Sequence, residues 1–241
     1  MMMKKFRFAS VATLLICIAL AGCTASKSNT NAPLTADQTS AKSKLEAQLQ
    51  DAAQTTQTYH AMDSPTLLGK LLDESKAQRE PFNSLAFREL KGRTDVDSKA
   101  LTTMVTQNAN ANGLLPLLLL RRLDNKSYLA VPAETRAKIL TSALSGSKYF
   151  NTWGLPNFYI EEASHAMIES GRAAIPALKG MLSDTRPAPS FGSQEFMVYK
   201  QYNYRLCDYA LYFLEQINGN TELRLPVSPA DRDALIKGMS K

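Results

Sequence analysis

His165 is the side chain best placed for acid–base or metal chemistry in this 241-residue chain, because carboxylates crowd it at helical spacing. Glu161 and Glu169 stand at i−4 and i+4 and Glu162 at i−3, so on a helix all share one side with the imidazole. A Glu-x-x-His pair can ligate iron, but a di-iron bundle needs that pair twice, with two further glutamates. The other histidine, His60, has no carboxylate three residues before it. Two readings of the His165 face stay open: a solvated polar face opposite Ile160, Ala163 and Ile168, or the centre of an envelope hydrolase or metal-dependent enzyme. No Gly-rich phosphate loop, nucleophile elbow or HExxH string accompanies it. Cys207 lies in an apolar stretch, and a reactive thiolate would want a histidine or helix N-terminus nearby. The residues thus assign no catalytic, cofactor-binding or metal-ligating role and imply no cofactor. The expectation is a chain that is not an enzyme.

Whatever these side chains do, an ordinary globular composition must position them. The chain is 44% hydrophobic and 21% charged, which excludes disorder over its whole length. Eleven glycines and eleven prolines exclude collagen-like or Pro-rich sequence, and three cysteines exclude a disulfide-stapled miniprotein. The formal charge is +6, and Lys4, Lys5 and Arg7 supply three of the 28 basic side chains. Without those three, the excess over the 22 acidic side chains falls to about +3. Arg121-Arg122 is the densest basic step, and two residues do not make the stripe that nucleic acid requires. No nucleic-acid partner and no small-molecule substrate are inferred.

Those three cations open a segment built as a secretory signal: a basic start, an apolar run from Val11 to Leu20, then small residues. The run is too short for a bilayer, which takes about 20 residues. Leu20-Ala21-Gly22-Cys23 then resembles the lipobox of bacterial lipoproteins. The resemblance implies cleavage after residue 22 and acylation of Cys23. Each buried methylene contributes about 0.8 kcal/mol, so two or three chains anchor stably where one does not. Thr24, in place of the aspartate that retains such proteins at the inner membrane, implies an outer-membrane anchor facing the periplasm. Residues 23–44, rich in Ser, Thr, Asn, Ala and Lys, form the expected flexible tether.

From Leu45 onward the periodicity is helical, and residues 45–241 form the expected folded domain. Leu45, Leu49 and Ala52 keep one face as far as Tyr59, and Ser64-Pro65 is a cap followed by proline. Pro81 opens a helix that stops at Gly92, and Ala100, Leu101, Met104 and Val105 mark the next. The run Leu114–Leu123 is apolar on all sides, as in a fully buried helix. Pro132–Leu144, then segments closed by Gly171 and Gly219, and a last one after Ser228-Pro229 complete the pattern. No sheet is expected. The fold class is all-α: an irregular antiparallel helical array, either a HEAT-like α-solenoid or a helical bundle.

The HEAT option rests on Gly171, Pro176 and Asp184, with Ile175, Leu178, Met181 and Leu182 between them. A glycine ends one helix, a proline sits early in the next and an aspartate closes it, which resembles the first half of a HEAT repeat. Arg205, Ala210 and Leu214 resemble its second helix. Pro116 and Asp124, followed by Arg136 and Leu140, repeat the spacing 60 residues earlier, against the 40–47 of regular arrays. The segment 185–204 is far longer than a HEAT turn. It carries Pro187, Pro189 and the aromatics Phe191, Phe196, Tyr199, Tyr202 and Tyr204, which are the candidate partner-binding residues. They either meet an envelope protein or fold back to cap the core. A second aromatic group, Tyr149, Phe150, Trp153, Phe158 and Tyr159, precedes it. The implied partners are a membrane, through the lipid anchor, and an envelope protein.

Overall fold

The computed structural model describes residues 35–75, 81–147, 152–188 and 193–239. The expected signal segment and Cys23 lie outside the described residues, as do Tyr149, Phe150 and Phe191. Regular structure among the described residues is an all-α array of twelve helices with one two-stranded sheet. No helix among them is long and apolar enough to cross a membrane. The chain divides into two units, Met1–Gln50 and Asp51–Lys241.

Helix α1 spans Ala36–Ala61, so residues 36–44 are helical and not irregular tether. The reason is a capping box at Thr35-Ala36-Asp37-Gln38. The Gln38 amide donates to Thr35 Oγ1 at 3.3 Å while the Thr35 amide donates to Gln38 Oε1 at 2.9 Å. Leu45 and Leu49 are more than half exposed, and Tyr59 is the buried residue of this helix. Helix α2 (Ser64–Glu74) is capped by Asp63, not Ser64: the Asp63 carboxylate accepts from Thr66 N at 2.8 Å. A carboxylate is the stronger acceptor for the orphan amides of a first turn. Ser64, one residue inside, donates instead to Asp95 at 2.7 Å.

Pro81–Asn83 form a single 3-10 turn, and Ser84 caps α3 (Leu85–Lys91), which buries Ala86, Phe87 and Leu90. Helix α4 (Ser98–Gln107) buries Leu101 and Val105. Gly113 precedes α5 (Leu114–Leu123) because a Cβ there would sit 2.2 Å from Asn108 O. Leu117 to Leu120 of α5 are all buried, and each side chain so enclosed contributes about 2 kcal/mol. Asp124 ends α5 and caps the short α6 (Asn125–Ala130), accepting from Ser127 N and Oγ. Helix α7 (Ala133–Gly146) follows.

Between α7 and α8 lies the sheet that the periodicity did not announce: β1 (Gly154–Leu155) paired antiparallel with β2 (Tyr159–Ile160). Leu155-Pro156-Asn157-Phe158 forms its turn, closed by Phe158 N donating to Leu155 O at 3.1 Å. Proline at the second position and a left-handed asparagine (φ 73°) at the third are the signature of a type II turn. Gly154, at φ +74°, is required as well, since a Cβ would meet Tyr159 O at 2.6 Å. Strands of two residues are too short to show alternation.

Helix α8 spans Glu162–Glu169 and α9 Ile175–Met181. The segment 185–204, expected to be a loop, contains α10 (Ser193–Tyr202). Helix α11 (Leu206–Ile217) packs on α9 as expected, with Leu178, Ala210 and Leu214 fully buried. Helix α12 (Pro229–Met239) ends the described chain.

Candidate functional site

The α10 excursion leaves the body and returns at one point. Ala188 N donates to Tyr204 O at 2.8 Å and Leu206 N to Arg186 O at 3.0 Å, around a bridge between Pro187 and Arg205. Cys207 N, donating to Asp184 O at 2.8 Å, ties the start of α11 to the end of α9 directly beneath. The helix pair is therefore joined across the base of the excursion. Val198 and Tyr202 of α10 pack against the core. Phe196 and Met197 turn outward, 51% and 72% exposed, and Lys200 Nζ lies 4.4 Å from the centre of the Phe196 ring. Large apolar side chains displayed this way cost solvation without stabilising the fold.

The five candidate partner-binding residues do not share a fate. Phe191 lies outside the described residues. Phe196 is exposed, and Tyr199 and Tyr202 are half-buried. Tyr204 contradicts the expectation of a contact residue: it is buried, and its hydroxyl donates to Pro156 O at 2.8 Å. Burial, first of all, holds its phenol well above the ordinary range. Its ring continues a column of aromatics, with centroid separations between 5.0 and 6.2 Å, from buried Trp153 through Phe213, Tyr209, Tyr204 and Tyr202 to Phe158. Phe158, at the hairpin turn, is 51% exposed. The turn is locked by Asn157, whose side-chain amide donates to Leu225 O and accepts from Leu225 N, both at 2.8 Å.

The column is clamped from outside by Arg232, itself fully buried. It donates to Pro226 O, Val227 O and Tyr202 O at 2.7–2.9 Å and lies 5.5 Å from the Tyr204 ring centre. Its Nε is 3.0 Å from Asp208 Oδ1, a charge contact without an aligned hydrogen bond. Met197, Lys200 and Arg232 were not singled out from sequence. The i, i+4 spacing of Phe196 and Lys200 was the available signal for the exposed stripe.

The acidic face around His165 is not what its spacing suggests. His165 and Glu161 are exposed, but Glu162 is buried and paired with both Arg121 and Arg122 of α5. Arg121 Nε also donates to Glu169 Oε2 at 2.9 Å. Arg121 hydrogen bonds, opposed by partial burial, hold the Glu169 carboxyl below its ordinary range. So Glu162 is not solvated, and Arg121-Arg122 is a pair of counter-ions, not a free basic step. A fully apolar helix ending in two arginines was the clue, because such cations beside a buried surface need carboxylates. Among the described residues no group of three His, Cys, Asp or Glu side chains is arranged to hold a metal. Cys207 is buried, and desolvation, ahead of the neighbouring Asp208 charge, pushes its thiol up to about 11.

No family model, no curated protein and no solved structure matches this chain.

Proposed function

We propose that the chain is a lipid-anchored, non-enzymatic helical interaction module of the bacterial envelope. Cys23 carries the acyl chains, and Thr24 directs the anchor to the outer membrane, facing the periplasm. The body, built on HEAT-like helix pairs of which α9 with α11 is one, presents the outer face of α10 to an envelope protein. The observation that carries this reading is the outward display of Phe196 and Met197 on a segment whose ends are already tied together beneath it. Chain that joins nothing and shows apolar surface is explained by contact with something else.

Two measurements test the two halves. Crosslinking in intact envelopes, followed by purification of the full chain, should recover a discrete protein with the wild type and lose it with Phe196→Ser/Met197→Ser. Equal recovery by both chains refutes the assigned surface. Cys23→Ser should leave an uncleaved precursor that takes up no labelled fatty acid. Cleavage before residue 23 together with labelling would refute the anchor.

A further inference from the structure

Helix α10 is ten residues long, too short to hold itself in water. It leans on the core through Val198 and Tyr202, neither of them fully buried. Its C-terminus is closed twice. Asn203, left-handed at φ 47°, donates its amide to Tyr199 O at 2.8 Å. Arg232 Nη2, thirty residues further along the chain, donates to the terminal carbonyl, Tyr202 O, at 2.8 Å. A cation is the favoured partner at that end of a helix dipole.

Helix α12, which supplies Arg232, buries no other residue, and its Ile236 and Met239 are half-buried against the core. Two charges tie it to the start of α11: Arg232 Nε lies 3.0 Å from Asp208 Oδ1, and Asp233 accepts from Arg205 Nη2 at 2.7 Å. A helix with so little apolar burial belongs to the part of a fold that opens first. We infer that α12 is a releasable strap whose Arg232 keeps α10 helical. When α12 lifts, the last turn of α10 loses its distant cap, and Phe196, Met197 and Lys200 lose their common face. The opening stops there. Asp208 keeps Arg205 as its partner, and the backbone bonds of Ala188 with Tyr204 and of Cys207 with Asp184 need nothing from α12. Arg232 is thus a positioning residue for the outer face of α10. The consequence rests on the reading of that face as a contact surface: whatever grips it steadies α12, and whatever draws α12 away weakens the grip, because such coupling is reciprocal.

Amide exchange of the full chain, followed by mass spectrometry at low denaturant, tests the strap without any partner. A failed crosslinking experiment therefore strikes the contact surface, and a failed exchange experiment strikes the strap. In the wild type, residues 197–202 and 233–239 should open together with one shared dependence on denaturant, while α11 stays closed. Arg232→Met fills the space without offering a donor, and it should speed exchange of residues 197–202 about tenfold. The same variant should leave α9 and α11 within about twofold of wild type. Equal acceleration in α9, α10 and α11 would make Arg232 a support of the whole body and overturn the inference. So would an α10 that stays closed while α12 opens in the wild type, the comparison that decides should Arg232→Met fail to fold.

Discussion

The cluster at the end of α5 and the outer face of α10 treat mismatched chemistry in opposite ways. At α5, charge is carried inward: Glu162 is buried, and two arginines bracket it. On α10, apolar surface is carried outward, with Phe196 and Met197 facing solvent while Val198 and Tyr202 of the same helix meet the core. The first arrangement satisfies itself internally, so its removal should register as lost stability. Among the described residues the second sets only Lys200 against the Phe196 ring, so its removal should register only in contact with another molecule. Buried polar groups therefore report on the fold, and exposed apolar groups report on what the fold meets.

The sharpest way to break this contrast is Glu162→Ala, which takes the carboxylate from Arg122 and leaves Arg121 with Glu169 alone. Denaturant unfolding should show a loss of about 3 kcal/mol. A loss under about 0.5 kcal/mol would mean that the cluster is a surface network like any other. Tyr204→Phe comes next. It deletes the bond to Pro156 O, keeps the ring in its column, and should cost about 1 kcal/mol while leaving partner recovery unchanged. Loss of partner recovery would return Tyr204 to the contact surface.

Acid should act on the charged region before the apolar one. Glu169 titrates below its ordinary 4.5 because Arg121 hydrogen-bonds the ionised form, and Asp184 below 3.8 because Arg186 does the same. A depressed folded-state value means that their stabilisation is complete above the unfolded values and is lost as pH falls through the folded ones. Melting temperature should therefore hold from pH 7 to about 5 and decline below about 4.5. Glu169→Gln should flatten the upper part of that decline. An identical decline in the variant would assign the acid sensitivity elsewhere. The smallest effect expected is that of Phe196→Ser/Met197→Ser on stability, within about 0.5 kcal/mol of wild type. A melting temperature several degrees lower would show that the α10 face caps the body.

Much of the helical framework was legible in the sequence because its signals are local. Pro229 opens α12 at Ser228-Pro229 as read, and Gly219, at φ +91°, stops α11. The apolar centre of α5, Pro116 to Leu120, is buried as its composition requires, whereas Leu114, Leu115 and Leu123 are only half-buried and Arg122 is exposed. What escaped depends on distant partners or short elements. Helix α10 was hidden because its apolar residues divide between core and solvent, which blurs the 3–4 spacing that marks a helix. Tyr204 lies between two helices, and its burial is set by Pro156, Tyr209 and Arg232, all remote in sequence. The capping box at Thr35 and the Pro156-Asn157 turn obey local rules, but each is set in polar or aromatic sequence without a hydrophobic period to mark an element beside it.

The paired backbone at Ala188 and Tyr204 has one more consequence. A segment whose entry and exit are stapled side by side behaves as an exchangeable cassette. Loop-closure entropy changes only with the logarithm of its length, so changes of length that keep Val198 and Tyr202 on the core alter the closed state by little. Mutational drift can therefore rewrite the outer face of α10 while α9 and α11 stay packed, and a laboratory graft that keeps Val198 and Tyr202 inherits that freedom.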